Sequence, residues 1–584
     1  MKLSKLIGYI ITGAIISGFS INPSKTGINL LQKINIMPEN EKVLVWIYFT
    51  DKGLNDKLDE LKISDYLTEK SIDRRLKRTT GNNYFNESDL PVNNDYINEI
   101  TDAGIKIRHK SKWFNAVSCF ADKNQIEIAL QKNFVSKIEL VARYRKNPVV
   151  PELSAEDNPG KGNISYNNFT SINYGQSLAQ DSLINVPEVH NRGYTGEGVL
   201  IASFDAGFDN LNHICFNRIR DKGLRTFDFV NGDTIVANGN GRLGNGAHGT
   251  ITLSLIAGYD PGFLVSPAFD SRYILAKTEN TNSETPVEED NWVAAAEWAD
   301  SLGADIITCS LGYLSFEPPY TSYTWQSMDG NTALITRAAD LAVSKGIVVV
   351  ISAGNEGFNN SHNTLNAPAD AFNVITVGSV NLNRQRSSFS SVGPTFDGRI
   401  KPEVMALGSF NYAARPGNGS TGYSSSSTGT SLACPMVAGV CALLLSAKNT
   451  LTPAEIKQIL ISTSDNNLSP DNLKGWGTVN ASYAIDKALG LDINIPAEYR
   501  LSQNYPNPFN PGTTIRYSLS KPGFVQLKIY DISGKEISSL VSGNIDAGSY
   551  IQKFTPDNIS GGIYFYSLNV NGITADTKKM IYLK

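Results

Sequence analysis

The sequence predicts an α/β fold at the centre of the chain, a parallel sheet flanked by helices. A small α+β domain precedes it and an all-β sandwich follows. Three observations predict this arrangement. Between residues 175 and 491, short apolar strands (199–204, 304–311, 347–351) alternate with helical patterns, as parallel strands joined by crossover helices do. Residues 41–144 mix strand and helix signals on a smaller scale. After residue 491 only strand patterns recur: Val525, Leu527 and Ile529 alternate with polar neighbours, as a half-buried strand requires.

Residues 1–20 read as a secretory signal, with Lys2 and Lys5 ahead of an apolar stretch over 6–16 and then Ser17, Gly18 and Ser20. That apolar stretch is short of a full membrane span. Within 41–144 the expected elements are strands at 43–49, 105–110, 116–121 and 135–142, with helices at 93–103 and 124–131. Residues 145–174 are rich in Pro, Gly, Asn and Ser and form a linker suited to cleavage. In the central domain, 175–491, helices are expected at 292–302, 333–345 and 453–462 and along the apolar run 433–447. The last domain, 498–584, opens on the proline-ruled turn 505–511. Its strands follow at 513–519, 524–530, 536–541, 550–554, 563–570 and 574–583.

Composition narrows the partners. The 584 residues carry 52 Lys and Arg against 56 Asp and Glu, a net charge of −4, with no long basic run, which gives no electrostatic case for nucleic acid. Five cysteines lie without a Cys-x-x-Cys spacing. Cys434 and Cys441 share one expected helix about 10 Å apart, too far to bridge. Small buried hydrophobes are therefore expected, with neither a disulfide framework nor a metal site.

The chemistry gathers at strand ends and one helix start. Ser431 lies in Gly429-Thr430-Ser431-Leu432-Ala433-Cys434-Pro435, where a small-residue loop runs into the apolar helix. A hydroxyl there sits among unpaired N–H groups that favour developing negative charge. Pro435 is expected in the first helical turn, where its missing N–H costs little. The strand 199–204 ends in Asp205-Ala206-Gly207. His248 lies in Gly246-Ala247-His248-Gly249-Thr250, and the strand 347–351 ends in Ser352-Ala353-Gly354-Asn355. Ligands bind beyond the carboxyl ends of parallel strands, where Asp205 and Asn355 both fall.

In this order the four motifs resemble the subtilisin-like serine proteases over roughly 230 residues. The resemblance implies a secreted serine endopeptidase with Ser431 as nucleophile, His248 as general base and acid, Asp205 orienting His248, and Asn355 in the oxyanion hole beside the Ser431 N–H. It implies that Ser310, Leu311 and Gly312 bind substrate backbone, and that Ser352, Ala353 and Gly354 also bind substrate. No cofactor is required by this chemistry. Two positions depart from the family: Ala206 replaces the usual Ser or Thr, losing one hydrogen bond, and Leu432 replaces Met, conserving volume.

Residues 41–144 resemble the ferredoxin-like propeptides of the same proteases, which implies a zymogen inhibited by its own propeptide and cut between residues 142 and 173. The turn 505–511, Gly561-Gly562-Ile563-Tyr564 and the Lys-containing final strand resemble C-terminal sorting domains of type IX secretion. Polypeptide substrates, the propeptide and the secretion machinery are the partners implied. The alternative is a catalytically inactive surface adhesion protein on the same scaffold.

Other candidates read as structure. His109, His190, His213 and His362 lie in no comparable motif. Gly239-x-Gly241-x-x-Gly244 fits a dinucleotide pattern, but no apolar strand precedes it and no apolar helix follows at once, so a loop is expected. For Glu279, Glu284, Glu288, Glu289 and Asp290 two readings stand open: structural calcium, bound by several members of that family, or a solvated loop capping the helix at Trp292. The Tyr- and Pro-rich insert 313–331 is expected to form one wall of the cleft.

Overall fold

The computed structural model describes residues 23–53, 62–79, 84–141, 172–239, 242, 245–281, 287–314, 322–416, 419–491, 499–545, 548–557 and 559–583. The signal segment, nearly all of the linker 145–174, Gly241, Gly244, Glu284 and residues 315–321 of the insert lie outside them. Two compact units emerge, one built from the chain up to residue 57 with 90–141, the other from 58–89 with 142–584.

Up to Leu140 the elements are α1 (Ile28–Ile36), β1 (Val43–Phe49), α2 (Glu69–Arg78), α3 (Asn94–Asp102), β2 (Lys106–Ser111), β3 (Ala116–Ala121), α4 (Lys123–Leu130) and β4 (Val135–Leu140). In the first unit the four strands form an antiparallel sheet in the order β2-β3-β1-β4. With α3 and α4 as crossovers this is the ferredoxin-like βαββαβ arrangement. Val45 and Ile47 of β1 share a core with Ile97 and Ile100 of α3 and with Ile126 and Leu130 of α4. Asp122 and Gln125 close a reciprocal cap at the start of α4.

The second unit continues with α5 (Leu178–Leu183), α6 (Val186–Asn191), β5 (Leu200–Asp205), α7 (Asn217–Asp221), β6 (Arg225–Asp228), α8 (Ala247–Ala257), β7 (Tyr259–Asp260), β8 (Leu264–Val265), β9 (Arg272–Lys277), α9 (Val287–Leu302), β10 (Ile306–Cys309), α10 (Leu334–Ser344) and β11 (Val348–Ser352). It goes on through β12 (Ile375–Val380), β13 (Val404–Leu407), β14 (Ser409–Ala414), β15 (Tyr423–Thr428), α11 (Thr430–Ala447), α12 (Pro453–Thr463) and α13 (Ala481–Ala488). Seven parallel strands run in the order β13-β12-β11-β10-β5-β9-β6. β5, β10 and β11 are buried along their whole length, which is why they read as continuous apolar runs.

Helix α11 packs against β10, β11, β12 and β13. It is long and apolar enough to cross a membrane, yet 89% of it is buried inside the fold. All five cysteines are buried and none is in a disulfide. Two local expectations change. Pro435 is the sixth residue of α11, in its second turn. Helix α9 opens at Val287, ahead of Trp292, with Glu288, Glu289 and Asp290 in its first turn, where acids favour the positive helix end. Those three acids and Glu279 are buried, so these four side chains are not solvated; Glu284 lies outside the described residues.

The chain then turns all-β: β16 (Arg500–Leu501), β17 (Thr513–Leu519), β18 (Gly523–Tyr530), β19 (Glu536–Ile545), β20 (Gly548–Phe554), β21 (Gly562–Val570) and β22 (Ile573–Tyr582). They form two antiparallel sheets, β16-β17-β20 and β19-β18-β21-β22. Ile515 and Leu519 meet Val525, Leu527, Ile529 and Leu568 in a core of their own.

Candidate active site

Asp205 is the last residue of β5, and its side chain is 1% exposed. Its carboxylate accepts three hydrogen bonds. Oδ1 lies 2.8 Å from His248 Nδ1 and 2.8 Å from the Ala206 N–H, and Oδ2 accepts the Thr252 hydroxyl at 2.9 Å. His248 is the second residue of α8, and Thr252 follows it by one turn on the same face. The hydroxyl missing at Ala206 is therefore supplied from α8. With Nδ1–H directed at Asp205, the imidazole presents Nε2 as its basic nitrogen.

Ser431 is the second residue of α11 and is 7% exposed. Its N–H belongs to the first turn, among the four that a helix leaves without a helical partner. Gly429, the residue before the helix, has φ 151°, a conformation that disfavours any side chain. A Cβ at Gly429 would also stand 2.8 Å from Ser431 Oγ and 3.7 Å from Asn355 Nδ2, so serine and amide converge on the same space. Asn355 follows β11 and is oriented by Thr430: the Thr430 N–H donates to Asn355 Oδ1 at 2.9 Å, and the Thr430 hydroxyl lies 3.1 Å from the same oxygen. That leaves Nδ2 as the donor end of the amide.

Pro435 has no N–H for the carbonyl four residues back, which is that of Ser431. The Ser310 hydroxyl donates to this carbonyl at 2.8 Å. Ser310 follows β10, so the helix that opens on Ser431 is tied to the sheet where its own ladder is broken. Leu311 is buried, Ser310 and Gly312 are half-buried, and Gly312 lies against Asn366.

Across the site, the Ala353 N–H donates to Val377 O and the Gly354 N–H to the Thr430 hydroxyl, while Gly354 O accepts from Ser391. Ser352 closes β11 and is buried. All three residues are buried, and the Ala353 and Gly354 backbone groups named above are engaged inside the fold. Beneath Ser431, Cys434 Sγ lies 3.4 Å from Val350 O and 3.6 Å from Thr308 Oγ1. Burial pushes this thiol up to about 12, which suits a packing residue.

Sequence reasoning missed Thr252 and Thr430, and it missed the contact Ser310 makes. The available signals were the i,i+4 spacing from His248 to Thr252 and the missing N–H of Pro435. The other histidines are held structurally. His190 Nε2 donates to Pro267 O at 2.8 Å and Nδ1 accepts from the Tyr174 hydroxyl. His213 accepts the Cys215 N–H, and His362 stacks on Trp325. Among the described residues, no group of three or more His, Cys, Asp or Glu side chains is placed to hold a metal ion.

Residues 196–477 match the subtilase family, 44–155 match the Bacteroidota peptidase S8 propeptide domain, and 503–583 match a secretion system C-terminal sorting domain. Subtilisin DY of Bacillus licheniformis is 35% identical over 304 residues, covering 52% of this chain and 96% of that protein. Subtilisin NAT of Bacillus subtilis subsp. natto is 32% identical over 368 residues, covering 62% and 79%. A solved protease of Pseudoalteromonas arctica PAMC 21717 aligns with a TM-score of 0.43 and 24% identity, over 55% of this chain and 100% of that one.

Proposed function

The chain belongs to the subtilase family and is a serine endopeptidase; we propose that it cuts peptide bonds through an acyl-enzyme on Ser431 and is made as a zymogen. With a secretion-system sorting domain, it is exported by type IX secretion and acts outside the cell or on its surface. The single observation that carries the catalytic assignment is the Asp205–His248 contact at 2.8 Å beside a helix that opens on Ser431.

In the first half-reaction, Ser431 Oγ attacks the scissile carbonyl while His248 Nε2 takes its proton. Asp205 stabilises the imidazolium that results. The oxyanion is met by Asn355 Nδ2 and the Ser431 N–H. As the tetrahedral intermediate collapses, the C–N bond breaks and His248 returns the proton to the leaving amine. Water, deprotonated by His248, then cleaves the ester and restores Ser431. Side chains and water suffice, so the reaction needs no cofactor. Ser310, Leu311 and Gly312 flank the substrate on one side, and Ser352, Ala353 and Gly354 on the other.

The propeptide is removed by a cut between residues 142 and 173. The inactive-scaffold alternative rests on Ala206 and on the β-sandwich tail; the Thr252 hydroxyl on Asp205 Oδ2 weighs against the first ground. A serine-directed fluorophosphonate probe tests the assignment. The matured wild type should label and Ser431→Ala should not; labelling that persists in the variant rejects Ser431 as nucleophile.

A further inference from the structure

Residues 58–89 fall inside the propeptide match, yet they pack as part of the same unit as the protease domain. The residues responsible are charged. From α2, Arg74 reaches Asp300 Oδ1 at 2.5 Å, Ala304 O at 2.8 Å and Lys345 O at 3.2 Å. Arg75 grips both Asp300 oxygens, at 2.9 and 2.7 Å. Arg78 pairs with Asp305 at 3.0 Å and donates to Asn449 O, and Lys70 pairs with Asp305 at 2.8 Å. In return Asp89 holds Lys345 of the protease domain at 2.8 Å. Arg74 and Arg75 are almost fully buried, as is Asp300.

The receiving surface suits such a ligand for two independent reasons. It carries the carboxylates of Asp300 and Asp305, and it gathers backbone carbonyls just at or past the ends of α9, α10 and α11, where helices leave C=O groups unpaired and partly negative. Gly303 lets α2 approach: a Cβ there would stand 2.7 Å from Lys70 Cγ and 2.8 Å from the Ser71 backbone N.

Its position separates it from the cleft. Asp305 Oδ2 accepts the Leu200 N–H at the first residue of β5, whereas Asp205 is the last. Six residues of strand put the two ends about 16 Å apart. An arginine strap at the amino ends of the strands cannot plug a site at their carboxyl ends.

We propose that Asp300, Asp305 and Lys345, with the adjoining helix-end carbonyls, form an exosite for an arginine-rich helix. The strap formed by α2 with Asp89 is its ligand, and it keeps the propeptide bound after the chain is cut. Latency then has two holds, one in the cleft and one at the exosite, and the exosite contact must open before full activity appears. The proposal takes from the protease reading only that the propeptide is severed and inhibitory.

The test uses the full chain, severed in the linker by itself or by added protease. In wild type the severed propeptide should co-elute with the protease domain on size exclusion. Arg74→Lys with Arg75→Lys keeps charge but loses the fork, and should release the propeptide about tenfold faster or more. After complete removal of the propeptide, fluorophosphonate labelling and turnover should match wild type, which reads the protease assignment separately. Equal retention by a folded double variant overturns the exosite. A second measurement needs no variant. With the cleft of the severed wild type filled by a covalent peptide phosphonate, amide exchange over 300–305 should stay slow. Fast exchange there on filling the cleft rejects an independent hold.

Discussion

At Asp205 the carboxylate must keep one orientation if His248 is to present Nε2 as its basic nitrogen. One of its donors, the Ala206 N–H, comes with the local chain; His248 and Thr252 both come from α8, and Thr252 fixes the oxygen that the imidazole does not use. Thr252→Val removes a hydrogen bond to a buried charged group, a loss of about 1.5–3 kcal/mol, so kcat/KM should fall roughly tenfold to hundredfold. Thr252→Ser should stay near wild type, and Ala206→Ser added to Thr252→Val should recover part of the loss by restoring a hydroxyl beside Asp205. An unchanged kcat/KM in a Thr252→Val protein with normal melting would show that this hydroxyl does not position Asp205. Asp205 and His248 were legible because each residue type stood at the strand end or helix start that the chemistry requires. Thr252 was not, since a threonine in a helix is ordinary and its partner lies 47 residues away.

Helix α11 shows how an element tolerates a break in its own ladder. Because Pro435 cannot donate to Ser431 O, Ser310 does so from the end of β10. Ser310→Ala leaves that carbonyl unpaired and should cost about 1–3 kcal/mol of stability in denaturant unfolding. Pro435→Ala supplies the absent N–H, so Ser310→Ala made in that background should cost clearly less; equal costs in both backgrounds would deny the link. Helix α6 carries a pH-dependent element. Burial lowers His190 to about 4, against 6.5 for an exposed histidine. Between pH 6.5 and about 4 the unfolded chain takes a proton that the folded one refuses. The stability His190 confers is thus complete above 6.5 and is lost as pH falls through that window, by about 3 kcal/mol. Asp181, whose carboxyl burial pushes well up, works in the opposite sense as pH rises, so the useful measurement is a difference. The stability gap between wild type and His190→Gln should narrow as pH falls from 7 to 4.5. Parallel curves would remove His190 from the account. Helix α2 was illegible because Glu69–Arg78 lacks an apolar stripe; it is held by charge at a surface more than 200 residues away in sequence.

Across the whole chain, the strand and helix signals separated three kinds of structure because each buries its apolar residues with a different period. β1, β3 and β17 fall on the residues expected of them. What stayed hidden was how sequence-distant pieces cooperate, as when residues 58–89 pack as part of the same unit as the protease domain. The C-terminal sandwich behaves differently, because its core is drawn from its own strands: Leu501, Ile515, Val525, Leu527 and Leu568 pack with one another. A domain with its own core can be removed without opening another, so its role should separate from catalysis. A chain ending at Leu491 should therefore fold, mature and hydrolyse peptides with kcat/KM within about twofold of the full-length enzyme, since the proposed catalytic set lies between Asp205 and Ser431. Expressed in the producing cell, the same truncation should remain cell-associated while the full chain reaches the surface or the medium, as a secretion sorting domain at residues 503–583 requires. Fractionation with an activity assay reads both arms. Loss of activity in a soluble truncated protein would mean that the sandwich supports the catalytic fold, and export of the truncated chain would mean that sorting lies elsewhere.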